Sequence, residues 1–301
     1  MFIASKLLDS RQSLIVKYIK MCMFKGQMLL NTETNLFAIL GCPVKHSFSP
    51  IMQNKWFEKK RLNCAYLAFE PKDYELKRTI KSLKDLKFRG FNITIPHKVK
   101  AMKYVDVIDK SAKKIGSINT VINKNNKLYG YNTDHLGFAR DLKAKKVVVE
   151  NKNILVIGAG GAARGIVYAL KTCKAKNIYM ANRTPGKSVK LVKEFKIKSV
   201  DINNIKDILD TIDILINCSS CGMQKDDKLP FSAGKIKRNL IVYDLIYNKK
   251  TPFVEFAKRN KLKVFTGEGM LIWQGAYAFN MWTGDFPDIT IAKKLLKKFL
   301  K

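Results

Sequence analysis

Ile154-Leu155-Val156-Ile157-Gly158-Ala159-Gly160-Gly161-Ala162-Ala163 decides how this chain folds. Four apolar residues read as a short strand, and a glycine-rich turn follows them directly. Gly158 to Ala163 fits the pattern G-x-G-x-x-A. The first glycine permits a tight turn, and the second lets backbone approach a pyrophosphate. The helix that opens behind it presents free N–H groups and a positive dipole end to the phosphates. Alone the motif is weak, but between a strand and a helix it marks a dinucleotide-binding unit.

The next strand, Asn177 to Ala181, decides which dinucleotide. A site for NAD usually ends this strand with Asp or Glu, which holds the ribose hydroxyls. Here the end reads Ala181-Asn182-Arg183-Thr184-Pro185-Gly186-Lys187, with no acid. Arg183 can offer a planar guanidinium to a 2′-phosphate, and Lys187 adds a second positive charge. The bland alternative is a solvated charged loop. A missing acid with a base in its place favours NADP over NAD.

Working outward, strands and helices alternate. Leu36 to Leu40 reads as a buried strand, Cys64 to Phe69 as a second and Phe88 to Ile93 as a third. A helix opens at Ser49-Pro50, with Ser49 as N-cap and proline in the first turn. Tyr74 to Leu86 reads as a helix. Val121 to Asn132 reads as a hairpin, two short strands around the Lys124-Asn125-Asn126 turn, and Thr133 to Ala144 as a connecting helix. Behind the glycine turn come two more strands, Ile212 to Asn217 and Leu240 to Asp244. Ala292 to Leu300 reads as a basic amphipathic helix with its lysines outward. The alternation predicts a parallel, doubly wound sheet.

Composition bounds the function classes. The 301 residues suggest two modest domains, and 47% hydrophobic residues supply real cores. No apolar run reaches the about 18 residues of a membrane span. The 57 Lys+Arg against 24 Asp+Glu give a net charge of +33, which raises a nucleic-acid partner as a reading. The lysines are dispersed, as in Lys143, Lys145 and Lys146 or Lys293, Lys294, Lys297 and Lys298, which reads instead as solvated helix faces. Neither a nucleic-acid nor a membrane partner is expected. Cys218 and Cys221 have C-x-x-C spacing, without the second pair or nearby His pair of a zinc site. Small residues packing behind a strand are the preferred reading, no metal is expected, and a reducing cytoplasm suits the six cysteines. Residues 1–35 read as an N-terminal extension without a motif, expected to be disordered, with Met28 as a candidate start. Its basic stretch Ser13 to Lys20 has a membrane-touching or targeting alternative.

Four polar loop segments complete the pattern. They are Gly41-Cys42-Pro43-Val44-Lys45-His46-Ser47-Phe48-Ser49-Pro50, Asn92-Ile93-Thr94-Ile95-Pro96-His97-Lys98, Gly116-Ser117-Ile118-Asn119-Thr120 and Tyr131-Asn132-Thr133-Asp134. Each alone is compatible with turn chemistry. In this order, the chain from about Leu36 to its end resembles the shikimate dehydrogenase family. The resemblance continues through Val242 to Asn248 and Gly267 to Gln274.

The resemblance implies an α/β fold, with an N-terminal α/β substrate domain (36–134 with 271–301) and a Rossmann-like NADP-binding domain (135–270). It implies reversible NADPH-dependent reduction of 3-dehydroshikimate to shikimate. Ser47, Ser49 and Tyr247 would bind the substrate carboxylate, and Thr94, Asn119 and Gln274 its ring hydroxyls. Lys98 and Asp134 would form the catalytic pair. Gly158, Ala159, Gly160, Gly161 and Ala162 would hold NADP with Asn182, Arg183, Thr184 and Lys187, and Leu245 and Gly267 would lie near the nicotinamide. A homodimer is a candidate assembly. A quinate/shikimate enzyme using NAD or NADP is the alternative. A Lys ammonium can stabilise the negative charge that builds on a ketone oxygen and supply its proton. Whether Lys98 or Asp134 transfers that proton stays open here. Gln53 stands where His is common in the family, and His135 where Gly usually follows the Asn-Thr-Asp motif.

Overall fold

The computed structural model describes residues 30–224 and 226–300, and the side chains of Pro185 and Lys187 lie outside that description. The extension reading therefore falls outside the described residues for 1–29, including Ser13 to Lys20 and Met28. Two six-stranded sheets organise the rest.

The first sheet holds β1 (Asn35–Leu40), β2 (Cys64–Phe69), β3 (Gly90–Ile93), β4 (Val107–Ile108), β5 (Thr120–Lys124) and β6 (Lys127–Tyr131), in the order β2-β1-β3-β5-β6-β4. β1 pairs in parallel with β2 and β3, whereas β5 runs antiparallel to both β3 and β6. The antiparallel β5–β6 pair is the hairpin expected over Val121 to Asn132, and the parallel, doubly wound sheet expected beyond it is the second one. The two-residue Asn125-Asn126 turn makes β5 and β6 a hairpin, which must be antiparallel. Both asparagines have positive φ, as such a turn requires. Around this sheet lie α1 (Ser49–Lys59), α2 (Leu76–Asp85) and α3 (Lys110–Ile115).

α4 (Asp134–Ala144) leads into the second sheet. There β7 (Asn153–Ile157), β8 (Asn177–Ala181), β9 (Lys198–Ser199), β10 (Ile214–Asn217), β11 (Ile241–Asp244) and β12 (Lys263–Thr266) run in the order β12-β11-β10-β7-β8-β9. Every pairing in it is parallel. α5 (Gly161–Thr172), α6 (Pro185–Phe195) and α7 (Pro252–Arg259) connect its strands. Apolar clusters fill both faces, around Ile154, Ile166 and Phe138 on one and Leu155, Leu215 and Phe253 on the other. That double burial explains the uninterrupted apolar runs of these strands.

The chain then returns to the first sheet. α8 (Glu268–Thr283) and α9 (Ile289–Phe299) place Ile272, Phe279, Ala292 and Leu296 in one cluster with Phe37, Trp56 and Phe57. Burying a side chain such as Phe279 contributes roughly 1.5–3 kcal/mol, so these helices are firmly seated. Lys293, Lys294, Lys297 and Lys298 are exposed, as the amphipathic reading of the last helix expects.

Two readings are corrected. Ser49 is the first helical residue of α1 and not its cap; Phe48 occupies the cap position, and the Ser49 N–H donates to Ser47 Oγ at 3.3 Å. Proline at the second helical position suits either boundary, so the sequence left a one-residue ambiguity. Lys145 is also no solvated lysine: its ammonium is 2.5 Å from Asp141 Oδ2. The short edge strands β4, β9 and β12 escaped notice because two to four residues carry no usable alternation.

Candidate active site

The polar segments converge at the carboxyl ends of parallel strands, where open α/β sheets place their ligands. Gly41 follows β1 and Thr94 follows β3, and the two touch: the Thr94 methyl fills the space where a Cβ at Gly41 would stand. The Cys42 N–H donates to Ile95 O at 3.0 Å and closes the two loops together. Ser49 is buried beside Ser47. Tyr247, from the loop after β11, reaches this corner through a hydrogen bond with the Phe48 backbone, and burial pushes its phenol above the usual range. Tyr247 thus bonds to the residue that separates Ser47 from Ser49.

Lys98 and Asp134 form an ion pair with Nζ to Oδ2 at 2.5 Å, their side chains only 12% and 4% exposed. Asn119 Nδ2 donates to the other carboxylate oxygen at 2.9 Å. The same Nδ2 lies 3.0 Å from Thr133 Oγ1 and 3.2 Å from Gln274 Oε1. Asn119 Oδ1 accepts the Thr133 N–H at 2.7 Å. Lys98, Asn119, Asp134 and Gln274 are therefore one hydrogen-bonded group.

Several residues hold this group without having been given a role from sequence. Asn132 Oδ1 accepts the Asp134 N–H at 3.0 Å, and its amide donates to the Ser117 carbonyl. Asn92 Nδ2 donates to Asn119 O at 3.0 Å, and Tyr66 donates to Asn92 Oδ1 at 2.7 Å. Asn92 and Asn132 sit inside the quoted segments, so the motif itself was the available signal; nothing local marks Tyr66.

His135 follows Asp134 and packs edge-on against Tyr168 of α5, ring centroids 5.2 Å apart. Its Nδ1 is buried without a hydrogen-bond partner. Burial lowers its pKa, against the opposing pull of the Asn132 backbone and of Asp134. It bears on the α4–α5 junction.

The glycine turn lies against the same group. Gly158 has φ +105°, and a Cβ there would meet Ser219 N at 2.8 Å, so the position requires glycine. Gly160 caps α5 with no side-chain hydrogen bond and with open space where a Cβ would stand. Uncapped N–H groups beside open space fit a phosphate. Ala159 packs on the core beneath the turn with Leu245, and Ala162 lies in the first turn of α5. A Cβ at Gly161 would sit 2.9 Å from Lys98 Cβ, so the turn touches the stem of the lysine. Gly267 lies against the carbonyl of Leu245, which brings those two together.

Arg183 is exposed at the end of β8. Asn182 Nδ2 donates to Thr184 O at 2.7 Å and shapes the loop. The Lys187 side chain lies outside the described residues. An acid does approach from elsewhere: Asp227 is held below the usual carboxylate range by the Gln224 and Gly222 backbone N–H groups, with a contribution from Arg183. In the C-x-x-C pair, burial and the nearby Asp244 push the Cys218 thiol up, and Cys221 Sγ donates to Lys228 O. Among the described residues no cluster of three or more His, Cys, Asp or Glu could hold a metal.

This arrangement has relatives. The shikimate dehydrogenase substrate binding domain family matches residues 39–121, the shikimate/quinate 5-dehydrogenase family residues 141–231, and the shikimate 5′-dehydrogenase C-terminal domain family residues 267–297. A shikimate dehydrogenase (NADP+) of Aquifex aeolicus is 39% identical over 89% of this chain and 98% of its own. One of Methanocaldococcus jannaschii is 42% identical over 89% of this chain and 98% of its own. The crystal structure of the Thermus thermophilus shikimate 5-dehydrogenase with NADP(H) and shikimate superposes with a TM-score of 0.80, at 34% identity, over 88% of this chain and all of that one. With relatives 39% and 42% identical along nearly the whole of both chains, this chain belongs to the shikimate dehydrogenase family.

Proposed function

We propose that this protein is an NADP-dependent shikimate dehydrogenase, reducing 3-dehydroshikimate to shikimate and running in reverse, in chorismate and aromatic amino-acid biosynthesis. The observation that carries the reading is the contact of the glycine turn with the stem of Lys98, whose ammonium is paired to Asp134. It brings a cofactor cradle to a proton donor.

Residues 36–134 with 271–301 act as the substrate domain and 135–270 as the NADP domain in this reading. Ser47, Ser49 and Tyr247 offer hydroxyls to the substrate carboxylate. NADPH supplies the hydride. Lys98 stabilises the alkoxide as charge develops on the carbonyl oxygen and delivers a proton to it. Asp134 accepts from Lys98 and Asn119 on its two oxygens, so it serves as an acceptor that aims the lysine. Proton delivery is therefore assigned to Lys98. Thr94, Asn119 and Gln274 orient the ring hydroxyls. Arg183 and Lys187 favour the 2′-phosphate of NADP. A cytoplasmic location suits a chain whose described cysteines are free thiols. Among the described residues no helix is long and apolar enough to cross a membrane.

A grid of shikimate and quinate against NADP+ and NAD+, read as absorbance of the reduced nicotinamide, tests the assignment. The highest kcat/KM is expected for shikimate with NADP+. Absence of turnover in all four cells defeats the reading, and a maximum with quinate or NAD+ replaces it with the quinate/shikimate alternative.

A further inference from the structure

Asp141 belongs to none of the motifs above, yet its side chain is only 5% exposed. Tyr243 OH donates to Oδ2 at 2.5 Å, and Lys145 Nζ reaches the same oxygen at 2.5 Å. Lys145 also donates to Thr266 O at 3.0 Å, with its ammonium 4.8 Å from the centre of the Tyr243 ring. A Cβ at Gly269 would overlap the carboxylate, so Asp141 sits directly on the first turn of α8. The cap residue of α8, Gly267, supplies no side-chain hydrogen bond. A buried anion at that end complements the helix dipole. One carboxylate thus joins α4, β11, the end of β12 and the start of α8.

The same seam runs on to the proposed active site. One turn back along α4, a Cβ at Gly137 would stand 2.6 Å from Gln274 N and 2.8 Å from its Cβ. Asp134 begins α4 one turn further still. Where Gln274 stands relative to Asn119 and Asp134 therefore depends on how α8 seats on α4.

We propose that Asp141 is a positioning residue for the reaction: its carboxylate, held by Tyr243 and Lys145, seats α8 on α4 and thereby aims Gln274 at the substrate. The proposal rests on the dehydrogenase reading above. It is tested by a double-mutant cycle in the full chain, comparing wild type, Asp141→Asn, Gln274→Ala and the double variant. Shikimate KM and kcat are measured, together with NADP+ binding by quenching of tryptophan fluorescence. Asp141→Asn is expected to raise shikimate KM about tenfold while NADP+ affinity stays within about twofold, a split that general loosening would not produce. In the Gln274→Ala background the same change is expected to add less than about threefold, because both act through one contact. Effects that multiply, an unchanged KM, or a parallel loss of NADP+ affinity overturn the proposal. If Asp141→Asn does not fold, the cycle is run with Tyr243→Phe, which removes one hydroxyl, and read by the same criteria. A wild type that does not oxidise shikimate defeats the dehydrogenase reading; an active wild type with a multiplicative cycle defeats only the role of Asp141.

Discussion

Asn119 Nδ2 carries two hydrogens and stands within 3.2 Å of three acceptors, Asp134 Oδ1, Thr133 Oγ1 and Gln274 Oε1. Gln274 is the farthest of the three, so in the proposed reaction its carbonyl is the one that accepts from a ring hydroxyl. Lys98 has three N–H groups and spends one on Asp134, which leaves donors for a substrate oxygen. Lys98→Ala is expected to lower kcat by about 10²–10⁴-fold, the range of a lost general acid. NADP+ affinity should stay near that of wild type in fluorescence titration. Retention of more than about a tenth of wild-type kcat would remove Lys98 from the proton transfer. The identity of these residues was legible in the quoted motifs. The spare acceptor was not, because Gln274 lies 155 residues from Asn119.

At the scale of elements, the α4–α8 seam makes the sharpest demand. Gly137→Ala would gain about 1 kcal/mol of helix propensity. The new Cβ would meet backbone of Gln274 at 2.6 Å, and backbone cannot swing aside. Overpacking of that kind costs about 1–3 kcal/mol, so the clash outweighs the propensity. The variant should melt below wild type in calorimetry and show a raised shikimate KM; a rise in melting temperature would contradict the tight seam. α8 itself was hard to read from sequence as a helix with a face. Its two sides are both apolar, since it packs on α4 and also carries Ile272, Ala276 and Phe279 into the first sheet's cluster. Lys145 misled for a related reason: it lies among lysines that are solvated, and only the tertiary fold brings Asp141 back under it.

Across the whole molecule, pH acts through groups whose pKa values differ between folded and unfolded chains. Burial lowers that of His135, so the folded protein resists the proton that the unfolded chain takes up. The stability from its neutral form is present at higher pH and lost as pH falls through the unfolded value, about 6.5. Asp106, held low by the Leu128 backbone N–H and by Lys84, contributes above the ordinary carboxylate value of 3.8 and loses that contribution below it. Asp244, raised by burial, works the other way and gains as pH falls toward its own value. The melting temperature should therefore fall between about pH 7.5 and about pH 5.5, and His135→Gln should flatten that slope. An unchanged slope in the variant would clear His135 of the effect.

By itself the sequence determined the glycine turn, the strand before it and the basic residue after β8. Each depends on a few neighbouring residues: a positive φ at Gly158, an apolar run, a charge at Arg183. It also determined the membership of the polar loops, because their order and spacing are properties of the chain alone. Only the tertiary structure decided that Gly161 rests on the stem of Lys98, that Tyr247 bonds to the backbone of Phe48 between Ser47 and Ser49, and that Asp141 lies against the first turn of α8. Those contacts join segments far apart in the chain. They are set by how helices and sheets pack, which no local pattern of residues encodes.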